Sequence, residues 1–131
     1  MVERTWNGRR RKAEIESQIS RNVRAATLEG LSAVQRKLRR NTPSGEVYRV
    51  PNTNRLYRAS APGEPPANRT GSYANSWESR VRGEEGFVGT KDKRGPWLEL
   101  GTKRMAPRPH LEPALMGKIQ RLKAVLSRTL I

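Results

Sequence analysis

Hydrophobic positions recur at helical spacing over two long stretches of the chain and take strand-like patterns between them. From about Lys12 to Arg40, Ile15, Ile19, Val23, Ala26, Val34 and Leu38 fall on one stripe at three- or four-residue multiples. This predicts an amphipathic helix. Gly30 occupies the same stripe between Ala26 and Val34. It weakens a helix by roughly 1 kcal/mol relative to Ala, and it leaves room for close approach of another backbone. Leu28 and Leu31 widen the apolar face. A helix of about 28 residues is about 42 Å long, more than a small domain needs to cover, so the overhang points to packing between subunits. A long helix with a frayed basic start is the plainer alternative.

Asn41-Thr42-Pro43-Ser44-Gly45 ends that helix. Glu46–Val50 and Leu56–Ser60 carry β-formers on either side of a turn at residues 51–55, which predicts a hairpin. Pro62, Gly63, Pro65 and Pro66 make residues 61–69 a loop. Thr70 is placed to cap a short helix running to Ser76. Trp77–Arg82 and Phe87–Thr90 read as two more strands joined through Gly83-Glu84-Glu85-Gly86, and Pro96–Leu100 reads as a helical turn stopped by Gly101. Finally, Leu111, Leu115, Ile119, Leu122, Leu126 and Leu130 step by four, four, three, four and four, which predicts one C-terminal amphipathic helix. Pro109 and Pro113 lie at its start and its cations toward its end, as helix chemistry favours. The expected fold is α+β: a small antiparallel sheet, a long N-terminal helix packed across it, and the C-terminal helix. Residues 1–12 read as a flexible basic arm, with Trp6 placed to dock on a neighbour, and 13–131 as one domain.

Charge changes this picture more than composition does. Among 131 residues, 27 Lys and Arg stand against 12 Asp and Glu, a net +15. The excess is +7 over residues 1–41 and +4 over the last fourteen, so the two ends are the basic parts. Self-repulsion of this size opposes compaction unless counter-charges lie nearby, and it favours phosphate or acidic protein partners. Only 34% of residues are hydrophobic, so the core is expected to be thin and assembly would bury more apolar surface. The absence of cysteine excludes disulfides and thiolate chemistry. A single histidine, His110, excludes a His-rich zinc site within one chain; packing or capping at a helix start is its expected role. No Ser/His/Asp set and no phosphate-cradling Gly loop appears. The expectation is a protein with no enzymatic activity, no catalytic residue, no metal and no cofactor.

Two segments carry a resemblance. The first is Gly63-Glu64-Pro65-Pro66 followed by Thr70-Gly71-Ser72-Tyr73-Ala74-Asn75-Ser76. The second is Trp97-Leu98-Glu99-Leu100-Gly101-Thr102 followed by Met105-Ala106-Pro107-Arg108-Pro109-His110-Leu111-Glu112-Pro113-Ala114-Leu115. Together they resemble the gene-product-ten-like morphogenesis proteins of long-tailed bacteriophages, with their G-x-P-P … T-G-x-L-x-x-S and Y-L-E-F-G-T … M-x-x-R-P-F-L-x-P-A-L patterns. The likeness follows the order of elements over residues 12–131. Tyr73 stands where the pattern often has Leu, Trp97 and Leu100 replace other aromatics around Glu99, Gly101 and Thr102, and His110 stands where it has an aromatic.

The resemblance implies a structural virion protein: a neck, tail-terminator or tail-completion subunit in a ring, guessed as six-fold, between head connector and tail tube. Its partners would be copies of itself and the neighbouring connector and tail proteins, with weak transient contact to passing double-stranded DNA and no membrane. It would be made in the bacterial host cytoplasm and reside in the virion neck. Candidate subunit or partner contacts are Pro65, Pro66, Thr70, Gly71, Glu99, Gly101, Thr102 and Arg108. Prolines fix a docking loop in advance. Glu99 is expected to pair with Arg104 or Arg108, within the subunit or across a ring contact. Arg108 holds a donor fork on a backbone stiffened by two prolines. Candidate DNA or acidic-surface contacts are Arg9, Arg10, Arg11, Lys12, Arg36, Lys37, Arg39 and Arg40. The alternative function is a small basic nucleic-acid-binding protein that reads phosphates without regard to sequence.

Overall fold

Residues 7–128 are described by a computed structural model. Helix α1 runs Gly8–Arg40, beginning four residues before the start that hydrophobic spacing predicted. The reason is local. The Asn7 side chain accepts the Arg10 N–H at 3.1 Å, an N-cap, and Arg10–Glu14 and Lys12–Glu16 ion pairs link successive turns at 3.2 and 3.8 Å. Gly8–Lys12, assigned above to the arm, are therefore helical; Trp6 lies outside the described residues. Ser17 and everything before it in the helix is exposed apart from a half-buried Gly8, and burial sets in from Asn22 onward.

Two hairpins follow: β1 (Val47–Arg49) with β2 (Leu56–Arg58), and β3 (Trp77–Arg82) with β4 (Glu85–Thr90). They form two separate two-stranded sheets where one sheet was expected. The proline loop and helix α2 (Ser72–Asn75) stand between them, and Pro65 and Pro66 have no N–H to extend a ladder. In the second hairpin the turn is only Gly83-Glu84, with φ of +59° at Gly83, as a two-residue turn with glycine at its first position requires.

The second hairpin lies across α1, as expected for the fold. Val34 and Leu38 of α1 pack with Ala74, Trp77 and Ala114, and Leu31, Tyr73, Val88, Leu111 and Leu115 flank them. The approach is close. A β-carbon at Gly86 would lie 1.8 Å from Thr27 Oγ1. Gly30 admits the side chains of Leu115 and Val88, rather than the backbone expected there.

Helix α3 spans Arg94–Leu100. The predicted C-terminal helix is two helices, α4 (Leu111–Met116) and α5 (Ile119–Leu126). Gly117 and Lys118 break it: the Lys118 N–H bonds Leu115 O three residues back, and Lys118 leaves helical geometry at φ −115°, ψ 10°. The bend turns Ala114 and Val125 into the core, while Leu126 of the predicted stripe stays 47% exposed. Leu130 lies outside the described residues. Buried Asn22 ties α5 to α1, donating from Nδ2 to the carbonyls of Leu126 and Arg128 at 3.3 and 3.1 Å. No helix among the described residues is long and apolar enough to cross a membrane.

Candidate functional site

The two signature segments meet in space where Tyr73 bonds His110 and Gly63 bonds Pro107, beside a carboxylate that organises the second of them. Glu99 projects from α3 onto the start of α4. Its Oε2 accepts the backbone N–H groups of His110 and Leu111 at 2.9 and 3.0 Å, and its Oε1 accepts that of Glu112 at 3.2 Å. A helix start has N–H groups with no partner of their own; here a side chain eleven residues away supplies the acceptor, where the positive end of the helix dipole favours an anion. Burial alone would raise the Glu99 carboxyl. The three N–H donors, led by Leu111, outweigh burial and hold it below its ordinary value. Within the chain Glu99 thus makes no ion pair with Arg104 or Arg108: its oxygens accept from the backbone at the start of α4, and Oε2 also lies 3.1 Å from His110 Nδ1.

His110 stands at the N-cap position of α4 and is fully buried, which fits the packing role expected of it; its side chain makes no cap hydrogen bond, and Glu99 does the capping. Its Nδ1 lies 2.7 Å from the Arg108 carbonyl and its Nε2 lies 2.6 Å from the Tyr73 hydroxyl. A carbonyl only accepts, so Nδ1 carries the proton and Nε2 accepts from Tyr73. Tyr73 and His110 are two of the departures from that pattern noted above, and they are hydrogen-bonded to each other. Burial pushes the Tyr73 hydroxyl up to about 12. Trp77 closes the cluster, edge-on to both rings at centroid distances of 6.1 and 5.6 Å.

The remaining signature residues brace this junction. Gly101 ends α3 at φ +79°, ψ 172°, and a β-carbon there would press on Pro107 at 2.9 Å. Thr102 closes a turn, donating from its N–H to Met105 O at 2.9 Å. Arg108 donates from its backbone to Leu98 O and from Nε to Ser60 Oγ, at 2.6 and 3.0 Å. The proline loop is clasped from both sides. Asn41 Nδ2 donates to the carbonyls of Pro65 and Pro66 at 2.7 and 2.8 Å, and the Gly63 N–H donates to Pro107 O at 3.0 Å. Glu64 accepts the N–H groups of Ser44 and Ala61 and the Ser44 hydroxyl, which hold its carboxyl below the usual range, the hydroxyl most of all. Pro66 is buried and Pro65 half-buried. Gly71, at φ +81°, occupies the cap position of α2 that was expected of Thr70; the Thr70 hydroxyl still accepts the Ser72 N–H at 3.3 Å.

The basic candidates do not form one patch. Lys12 and Arg36 stand on the same helix about 36 Å apart. Arg10 and Arg11 pair with Glu14, and Lys12 with Glu16; Arg9 is exposed beside them. Arg39 donates to Asn75 Oδ1 at 2.6 Å. Arg36, Lys37 and Arg40 form a separate group beside Lys118. A second cationic groove, which spacing did not reveal, is lined by Arg39, Arg55, Arg58 and Arg69, with the Arg69 guanidinium 5.2 Å from the Tyr57 ring centroid. Its arginines come from α1, the first hairpin and the proline loop.

Comparison with family models, with curated proteins and with solved structures finds no match to this chain.

Proposed function

We propose that this protein is a structural subunit of a phage neck or tail-completion ring, joining the head connector to the tail tube by shape and contact while DNA passes. The observation that carries the reading is the division of labour on α3. Glu99 is locked inward onto α4, while its neighbours Trp97 and Leu100 stand 54% and 76% exposed. A rigid ledge that presents large apolar side chains fits burial against another protein surface. The proline loop is already fixed by hydrogen bonds, so little ordering remains to oppose docking.

The test is to locate the protein in intact particles by electron microscopy and to assemble particles carrying Trp97→Ala with Leu100→Ala. Density at the head–tail junction, and heads left unjoined to tails by the double variant, are the expected results. Absence from that junction removes the reading.

The groove of four arginines around Tyr57 favours a second reading, a sequence-independent nucleic-acid binder. It predicts tight DNA binding by the isolated chain at physiological salt, falling steeply as salt rises. The ring reading expects weak, salt-sensitive binding with no sequence preference.

A further inference from the structure

The last turns of α1 are cationic across their whole solvent side. At about 100° per residue, Arg36, Lys37, Arg39 and Arg40 fan over an arc of about 160°, with buried Val34 and Leu38 opposite. Two clefts open on this fan, and Asn41 lines both. The first, of about 450 Å³, is bordered by Arg36, Lys37 and Arg40 and adds Lys118 from the break between α4 and α5. The second, of about 550 Å³, is bordered by Arg39 and adds Arg55 and Arg58 from the first hairpin and Arg69 from the proline loop. No acid lines either cleft, and none of these eight cations has an ion-pair partner among the described residues. Where they bond within the chain, the partner is neutral: Arg39 donates to Asn75 Oδ1 and Arg58 to Gly45 O. The acids on the bordering elements leave the excess standing. Glu29, about two turns back on the Arg36 face, pairs with Arg121 at 3.0 Å. Glu46 accepts from the Tyr48 hydroxyl at 2.7 Å, and Glu64 is held by Ser44 and Ala61. Glu112, exposed on α4, lines neither cleft.

We propose that the two clefts are one track, running over the end of α1 past Asn41, that grips the sugar–phosphate backbone of duplex DNA. Uncompensated cations gathered from four parts of the fold call for a polyanion, and guanidinium forks match phosphate oxygens. Protein interfaces thin out charge at their centre, whereas surfaces that meet DNA keep it. Single strands are held by bases stacked on open aromatic faces. Tyr57, the one ring that lines either cleft, is covered by Arg69 at 5.2 Å and flanked by Tyr48 at 5.7 Å, so it offers a base no open platform and the duplex backbone is the better fit. The inference rests on the nucleic-acid reading for its ligand; it adds where the chain holds that ligand and by which part.

The test is fluorescence anisotropy of the full-length chain with a labelled duplex of mixed sequence, titrated at several salt concentrations. Two variants cut the track on either side of Asn41: Arg36→Ala with Lys118→Ala, and Arg55→Ala with Arg69→Ala. A third, Arg80→Ala with Arg82→Ala on the second hairpin, removes the same charge elsewhere. All six positions are exposed, and circular dichroism verifies that each variant folds. Wild type is expected to show a log–log salt slope of about −4 or steeper. Each track variant is expected to bind about tenfold more weakly with the slope reduced by about two, and the hairpin variant to stay within about twofold of wild type. Wild type that leaves the duplex unbound even at low salt overturns this inference and the nucleic-acid reading together. Wild type that binds, with track variants no weaker than the hairpin variant, overturns the track and leaves that reading standing. Weakening by one track variant alone overturns the joining of the two clefts. Tighter binding of a single strand of the same length overturns the duplex as ligand. Displacement of the duplex by polyglutamate at equal charge concentration also overturns it, giving the surface to an acidic protein.

Discussion

The two hairpins have the same topology but are held by different forces. The second, β3–β4, is fastened by burial. Trp77 is 6% exposed in the core, Val88 packs beside it, and Gly86 lets the strand sit directly on Thr27. The first, β1–β2, buries almost nothing: Val47 and Leu56 are 47% and 66% exposed. It is fastened by polar ties at its base. Gly45 N–H donates to Ala59 O at 2.8 Å, Arg108 reaches Ser60, and Glu64 bridges Ser44 and Ala61. The lesson is that apolar area sets how strongly a hairpin is held, while hydrogen bonds set where an exposed one points. Exposed ties exchange with water and add only modest stability.

Four substitutions break or sharpen that contrast. The largest effect belongs to Trp77→Ala, which removes the central core ring; urea unfolding should show a loss of about 3–5 kcal/mol. Glu99→Gln comes next, at about 2 kcal/mol, because an amide replaces the charged acceptor of three backbone donors. Its pH dependence is diagnostic. The folded carboxyl titrates below its ordinary 4.5, so its stabilisation is present above that value and is lost as pH falls through the lower folded value. Unfolding curves between pH 7 and 3 should therefore be flatter for Glu99→Gln than for wild type. Gly86→Ala forces β4 off α1 and should cost about 1–3 kcal/mol by overpacking. The smallest global change belongs to Glu64→Gln, whose unfolding midpoint should be hard to separate from that of wild type. Its mark should be local: the Gly45 and Ala59 amides exchange faster with solvent while those of β3 and β4 are unchanged. Equal slowing or speeding of both hairpins would erase the distinction.

Much of the fold is legible in the sequence because it depends on neighbours in the chain. The stripe from Val23 to Leu38, the turn at Gly83 and the stop at Gly101 all follow from residues within a few positions. The start of α1 was missed because it rests on a cap and ion pairs, which hydrophobic periodicity does not register. The break at Gly117-Lys118 was hidden by leucines that keep helical step across it; the glycine was the available signal. Glu99 was legible as a special residue, an acid at a fixed place in a basic chain. Its partners were not, because N–H groups at a helix start carry no residue code. The arginine groove was likewise invisible, since its members are separated by up to thirty residues and converge only when hairpin, loop and helix are in place.

The contact between Tyr73 and His110 constrains how this chain can vary. Replacing Tyr73 with Leu strands the imidazole nitrogen in a dry interior, and replacing His110 with Phe strands the phenol and the Arg108 carbonyl. Each alone incurs the desolvation of an orphaned polar group, whereas exchanging both for apolar residues of similar shape removes the demand for partners. The two positions, thirty-seven residues apart, should therefore tolerate change only in step, with the double replacement milder than the sum of its parts.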